Sequence, residues 1–198
     1  MSAAAVEEPM EQPTLLEAAE LISNQFTGHR VEIVGSQITV TPPPNASHSK
    51  SLSRLMRVLF QAGLDGGGTE VLQGVGIWLP DGPSDYAIPD LVVVDADIDD
   101  HLIEYNCYDP AVFRLVLEVT SSNHSDDLKR KPFVYASAGV PVYVIVDRAN
   151  QRVMVLTDPR DGEYRVHAVH HPGQSFTLPE SIGASVTLSV DDVLTAKK

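Results

Sequence analysis

One segment limits the choice of fold more than any other: FRLVLEVT, residues 113–120. Its apolar run reads as a buried strand, yet Glu118 stands inside it between Leu117 and Val119. An ionised carboxylate in a low-dielectric strand is costly unless it is paired, hydrogen-bonded, protonated or bound to a metal. Any fold for this chain must therefore supply Glu118 with a partner. The plainest solution is a strand-end position, since TSSN begins directly afterwards, with the acid facing water or an arginine.

A second acid has a similar setting. In IPDLVVVD (88–95), Pro89 has no N–H and marks a strand edge or start, so Asp90 reads as the first residue of a short buried strand. Taken alone, Pro-Asp is an ordinary turn signal. If Asp90 and Glu118 lie at adjacent ends of neighbouring strands, they form a hard-oxygen pocket suited to Mg²⁺ or Mn²⁺. Cations follow shortly downstream in DDLKRKP.

The rest of the chain surrounds these strands with helices and hairpins. In TLLEAAELISNQF, Thr14 and Glu17 have capping-box spacing, and Leu15, Ala18, Ile22 and Phe26 share a face. RVEIVGSQITV reads as two strands around Gly35. A second helix runs from about Ser47 to Gly63, with Leu52, Leu55, Met56 and Leu59 as its apolar face. TEVLQGVGIWLP is extended, 97–110 is loop-like, and a helix occupies much of 126–138 before Gly139. VPVYVIVD, RVMVLT and EYRVHAV are strands joined by the turns RANQ and DPRDG. This order predicts an α+β (mixed α/β) fold with a partly antiparallel central sheet flanked by helices. Residues 1–13 read as a disordered acidic leader without a signal-peptide core, and 14–198 as one domain.

Composition narrows the partners. The net charge is −13, from 14 Lys and Arg against 27 Asp and Glu. Phosphate-backbone affinity comes mainly from Lys and Arg, so strong indiscriminate binding to DNA is excluded for the free monomer. A local basic patch or a metal ion could still bring nucleic acid in. No apolar run is long enough for a membrane span. The single cysteine, Cys107, forbids an intramolecular disulfide and suits a reducing cytoplasm.

Taken in order, VEIVGSQITVTPPPNASH, IPDLVVVD, LVLEVTSSN, DLKRK and YASAGVPVYVIVD resemble the Uma-type restriction endonuclease family, within the PD-(D/E)XK nuclease superfamily. That family shows a Glu-then-Gly hairpin and a His at a helix start. A Pro-Asp strand, a Glu-Val strand, Asp-x-x-x-Lys and Tyr-x-x-x-Gly-Val-Pro-x-Tyr follow. The resemblance covers residues 14 to 157, and it is the set rather than any one piece that is specific. It implies a restriction-endonuclease-like core and Mg²⁺- or Mn²⁺-dependent hydrolysis of nucleic acid, with DNA expected and RNA open. A bacterial, cytoplasmic homodimer is also implied. Asp90, Glu118 and the Val119 carbonyl would hold the metal, and Lys131 would complete the catalytic set. Glu32, His48 and Asp127 occupy accessory positions. Two departures stand out. The strand lysine is replaced by Thr120, which moves the cation to Lys131 on the following helix, and the usual Tyr-Trp is here Tyr143-Val144. Because Pro132 disfavours helical geometry at Lys131, the helix is expected to begin at Pro132. The missing strand lysine and the acidic charge also fit a different protein, a nuclease-fold binding or regulatory module that no longer cuts.

Other motifs are weaker. In HAVHH, alternation puts His167 and His171 on one face and His170 on the other, as for surface histidines. Cys107 lacks a recognisable oxyanion element, SSNHS is not a triad by proximity alone, and LDGGGTE lacks the strand and lysine of a phosphate loop. DADIDD (95–100) reads as a solvated acidic loop.

Overall fold

The computed structural model describes residues 12–120 and 128–194. The central strands dictate the architecture. Six strands form the main sheet in the order β12 (Glu163–His170), β11 (Arg152–Arg160), β10 (Val142–Asp147), β9 (Phe113–Val119), β6 (Leu91–Asp95), β3 (Thr69–Leu72). All neighbours are antiparallel except β9 and β10, which run parallel and are joined by a crossover holding α3 (Lys131–Ser137). The apolar runs of β6, β9 and β10 are buried on both faces, as uninterrupted β-branched strands require.

Each face has its own core. Leu91, Val93, Leu115, Leu117, Val142 and Val144 pack towards α2 (Ala46–Gln61), α4 (Val190–Leu194) and the hairpin of β13 (Ser175–Leu178) with β14 (Val186–Ser189). On the other face Val92, Val116, Tyr143 and Ile145 meet Tyr135 and Val134 of α3 and the inner side of a second sheet. That sheet has the order β2 (Ile38–Thr41), β1 (Arg30–Ile33), β5 (Tyr86–Ala87), β4 (Gly76–Trp78), β8 (Cys107–Tyr108), β7 (Leu102–Glu104). Helix α1 (Leu15–Gln25) packs its Ala19 with Val31 and Ile33 of β1.

Most local expectations hold. The Thr14–Glu17 capping box is present in full. Gly35 and Ser36 turn the β1–β2 hairpin at positive φ, and buried Asp85 accepts the Ser36 N–H there. Val144, at the departed Tyr-Trp position, is fully buried and fills the core.

Several boundaries differ. Helix α2 starts at Ala46 because Asn45 caps it, accepting the His48 N–H at 3.0 Å. β6 starts at Leu91, so Asp90 lies just before the strand. TEVLQGVGIW is split at Gly74, whose positive φ passes the chain from the main sheet to the second. The 97–110 segment is more than loop: it contains a 3-10 turn and the small β7–β8 pair. β11 runs through DPR, leaving the turn to Asp161 and Gly162. Helix α3 begins at Lys131, with Pro132 second, where the missing N–H costs no helical hydrogen bond. Residues 1–11 and 121–127, which include most of the expected leader, SSNHS and Asp127, lie outside the described residues.

Candidate active site

The chain crosses from the second sheet to the main one through Ile88, Pro89 and Asp90. Strand β1 holds this crossing. Arg30 and Glu32 are two apart, so both project from the same face of β1. The Arg30 guanidinium donates to the Ile88 carbonyl and to Asp90 Oδ1, each at 2.7 Å. Glu32 Oε1 accepts the Ile88 N–H at 2.8 Å.

Leu91 pairs with Leu117, so Asp90, just before β6, lies beside the Glu118–Val119 end of β9. Asp90 Oδ2 accepts the Val119 N–H at 2.8 Å and lies 3.3 Å from His48 Nε2. Burial opposes ionisation of Asp90, but the His48 hydrogen bond, the charges of Arg30 and His48 and the Val119 amide outweigh it. They hold the carboxyl down at about 2.

Glu118 is 1 % exposed, and its partners answer the question posed by the strand. Lys131 Nζ donates to Glu118 Oε1 at 2.6 Å and to Glu32 Oε1 at 3.2 Å. Tyr135, one helical turn beyond Lys131, donates its hydroxyl to the same Glu118 oxygen at 3.0 Å. Burial, then the Glu118 and Glu32 charges, push the Tyr135 phenol well above its ordinary value, so it stays a donor. Lys131 is itself 4 % exposed: its ammonium points inward, not to solvent. Burial works against the Arg30 charge, yet Glu118, Glu32 and Asp90 together raise its pKa further. The result is one connected array, His48–Asp90–Arg30–Glu32–Lys131–Glu118–Tyr135.

Thr120, at the strand-lysine position, is also buried, but it does structural work. Its hydroxyl donates to the Val146 carbonyl and accepts the Arg148 N–H at 3.1 Å. A cleft of about 480 Å³ opens on Asp90, Arg30 and His48 and is walled by Pro42–Pro44 and Arg148.

Among the described residues no three of His, Cys, Asp and Glu are grouped to hold a metal ion. The oxygen donors expected to hold a metal are the Asp90 and Glu118 carboxylates and the Val119 carbonyl. The carbonyl shares its strand edge with the N–H given to Asp90, opposite Pro89, which has no N–H to offer it. An all-oxygen set of this size fits Mg²⁺ or Mn²⁺, which fill their remaining positions with water and substrate oxygens.

The structure thus brings together Asp90, Glu118, Lys131, Glu32 and His48. Arg30 and Tyr135 were not anticipated. Arg30 has no local signal, because the acid it hydrogen-bonds, Asp90, is sixty residues away. Tyr135 is visible only as the tyrosine of the Tyr-x-x-x-Gly-Val-Pro motif. Of the remaining motifs, HAVHH and Cys107 make contacts outside this array. His167 Nε2 donates to the Tyr164 carbonyl, His170 stacks on Phe176, and Cys107 is buried with its thiol pushed up to about 12.

A family model described as "Putative restriction endonuclease" matches residues 16–191. Among solved structures, the chain is similar to one from Anabaena variabilis described as "a putative nuclease". The TM-score is 0.66 at 17% identity, over 92% of this chain and 98% of that one, a likeness of fold. No curated protein matches significantly.

Proposed function

Because the chain belongs to the family described as "Putative restriction endonuclease", we propose that it is a metal-dependent nuclease whose site is the Asp90–Glu118–Lys131 cluster. The observation that carries this is the place of Lys131. It comes from a different element than the usual strand lysine, yet its ammonium lies 2.6 Å from Glu118. Asp90, Glu118 and the Val119 carbonyl would hold Mg²⁺ or Mn²⁺, which supplies Lewis-acid polarisation of the phosphate and a more acidic water when bound. Lys131 orients the attacking water and stabilises the negative charge that grows on the phosphate oxygens. Glu32 is the second carboxylate that fixes Lys131. Arg30 and His48 hold Asp90 ionised and oriented, and Tyr135 orients Glu118 through its hydroxyl.

A second reading draws on the same contacts. Both Asp90 oxygens already have donors, and Lys131 already neutralises Glu118. A cluster so satisfied could be the residue of a nuclease that now only binds. Titration calorimetry with Mn²⁺ on wild type, Asp90→Ala and Glu118→Ala separates the two. A binding event lost in both variants, together with Mn²⁺-dependent cleavage of nucleic acid by wild type alone, is the expected result. Wild type that takes up no metal at millimolar concentration, with an oligonucleotide present, would leave the binding module as the function.

A further inference from the structure

We infer that the cleft beside Asp90 is a subsite for the phosphate adjoining the scissile one, on an unpaired nucleic-acid strand, and that Arg148 holds that phosphate. This rests on the nuclease reading and adds the substrate class to it.

Access comes first. The Asp90 and Glu118 side chains are 6% and 1% exposed. Asp90, Arg30 and His48 line the cleft, whose volume of about 480 Å³ is that of a small-molecule site. Paired, stacked bases cannot follow a phosphate into such a space. Enzymes whose pocket must take in a base act on single strands or extruded nucleotides for this reason. The charge balance agrees: with a net −13 the protein has little to offer the long phosphate rows of a duplex.

Chemistry at the cleft favours an anion. Arg148 lines it, and its guanidinium is fastened over the start of α2 by a 2.7 Å hydrogen bond to Ser47 Oγ. Its backbone is fixed by Thr120, so the residue that replaced the strand lysine now positions a different cation. Helix α2 is 16 residues long and has no acidic residue in its first turn, and its positive end lies beside the cleft. His48 supplies an independent sign of a ligand. It is 5% exposed and lines the cleft with Nε2 turned to Asp90, while its buried Nδ1 has no partner among the described residues. The Pro42–Pro44 wall adds a stiff apolar surface for a sugar or base.

The test is fluorescence anisotropy with labelled oligothymidylate and oligouridylate, and with the oligothymidylate as a duplex, in Ca²⁺ with probe integrity checked on a gel. We expect at least one single strand to bind about tenfold tighter than the duplex. Arg148→Ala should weaken that binding by about tenfold, the value of a charge-assisted hydrogen bond. The slope of log affinity against log salt should fall by about 0.7, as for one single-strand phosphate contact. Arg148→Lys, which keeps the charge, should retain the salt slope even where Arg148→Ala compromises folding. Duplex binding as tight as single-strand binding, or an unchanged affinity and slope in a folded Arg148→Ala protein, overturns the inference. If Mn²⁺-dependent cleavage persists in that case, the nuclease stands and only the subsite falls. If wild type neither binds nor cleaves any probe, both fall.

Discussion

Lys131→Met isolates the contact on which the site depends. The substitution keeps the side chain's length and removes its charge. It leaves Glu118 at 1% and Glu32 at 2% exposure without the ammonium they share. Removing one partner of a buried ion pair costs about 3–5 kcal/mol, because the remaining charge is stranded in low dielectric. For a domain of this size that lowers the melting temperature by roughly 6–20 °C. Urea unfolding should show a lower midpoint with an unchanged slope. Adding Glu118→Gln should return part of the loss, since the second change removes one of the stranded carboxylates. The double-mutant cycle should therefore give a coupling of at least about 1 kcal/mol. A loss below about 1 kcal/mol for Lys131→Met, with additive behaviour in the cycle, would be that of an exposed lysine and would refute the inward placement. Mn²⁺-dependent cleavage should vanish in the same variant.

Three further outcomes follow from the contacts. Asp90 titrates at about 2 instead of 3.8, so its stabilising contribution is complete above pH 3.8 and is lost as pH falls through 2. The gap in unfolding free energy between wild type and Asp90→Asn should be about 2 kcal/mol at neutral pH and should close across that acid window. Burial pushes the Cys107 thiol up to about 12, so an aromatic disulfide reagent at pH 8 should label it only after unfolding. Gly76→Ala would drive a methyl group into Cys107 Sγ and the Asn106 carbonyl, with an expected loss of about 1–3 kcal/mol by calorimetric melting.

What was legible in the residues depended on how local its cause was. The α1 capping box needs only Thr14 and Glu17, three residues apart, and was readable outright. The demand made by Glu118 was readable too, because a carboxylate among buried β-branched neighbours is anomalous whatever surrounds it. Its answer was not. Lys131 lies thirteen residues on and could be singled out only through the family resemblance, since nothing in DDLKRKP distinguishes it from Lys129 or Arg130. Arg30 left no trace, because an arginine in a short hairpin strand ordinarily faces water. Glu32 carried a fainter form of the Glu118 signal, an acid enclosed by Val31 and Ile33, and it is as deeply buried. The small strands β7 and β8 were missed because residues 102–104 are exposed on both faces and lack alternation.

The helix-borne lysine also bears on how the chain reaches its native state. A lysine two residues from its glutamate in one strand would meet it as soon as the strand formed. Here the ammonium arrives across a thirteen-residue separation, and the Glu32 and Arg30 contacts close separations of 99 and 60 residues. Until α3 docks, burying Glu118 is uphill, so the central strand stays hydrated at that end while its apolar part condenses. Desolvation of the acid and arrival of its counter-ion are therefore expected to fall in a single late step with high loop-closure entropy. A chain stalled before that step would keep its sheet open to water at the Glu118 end.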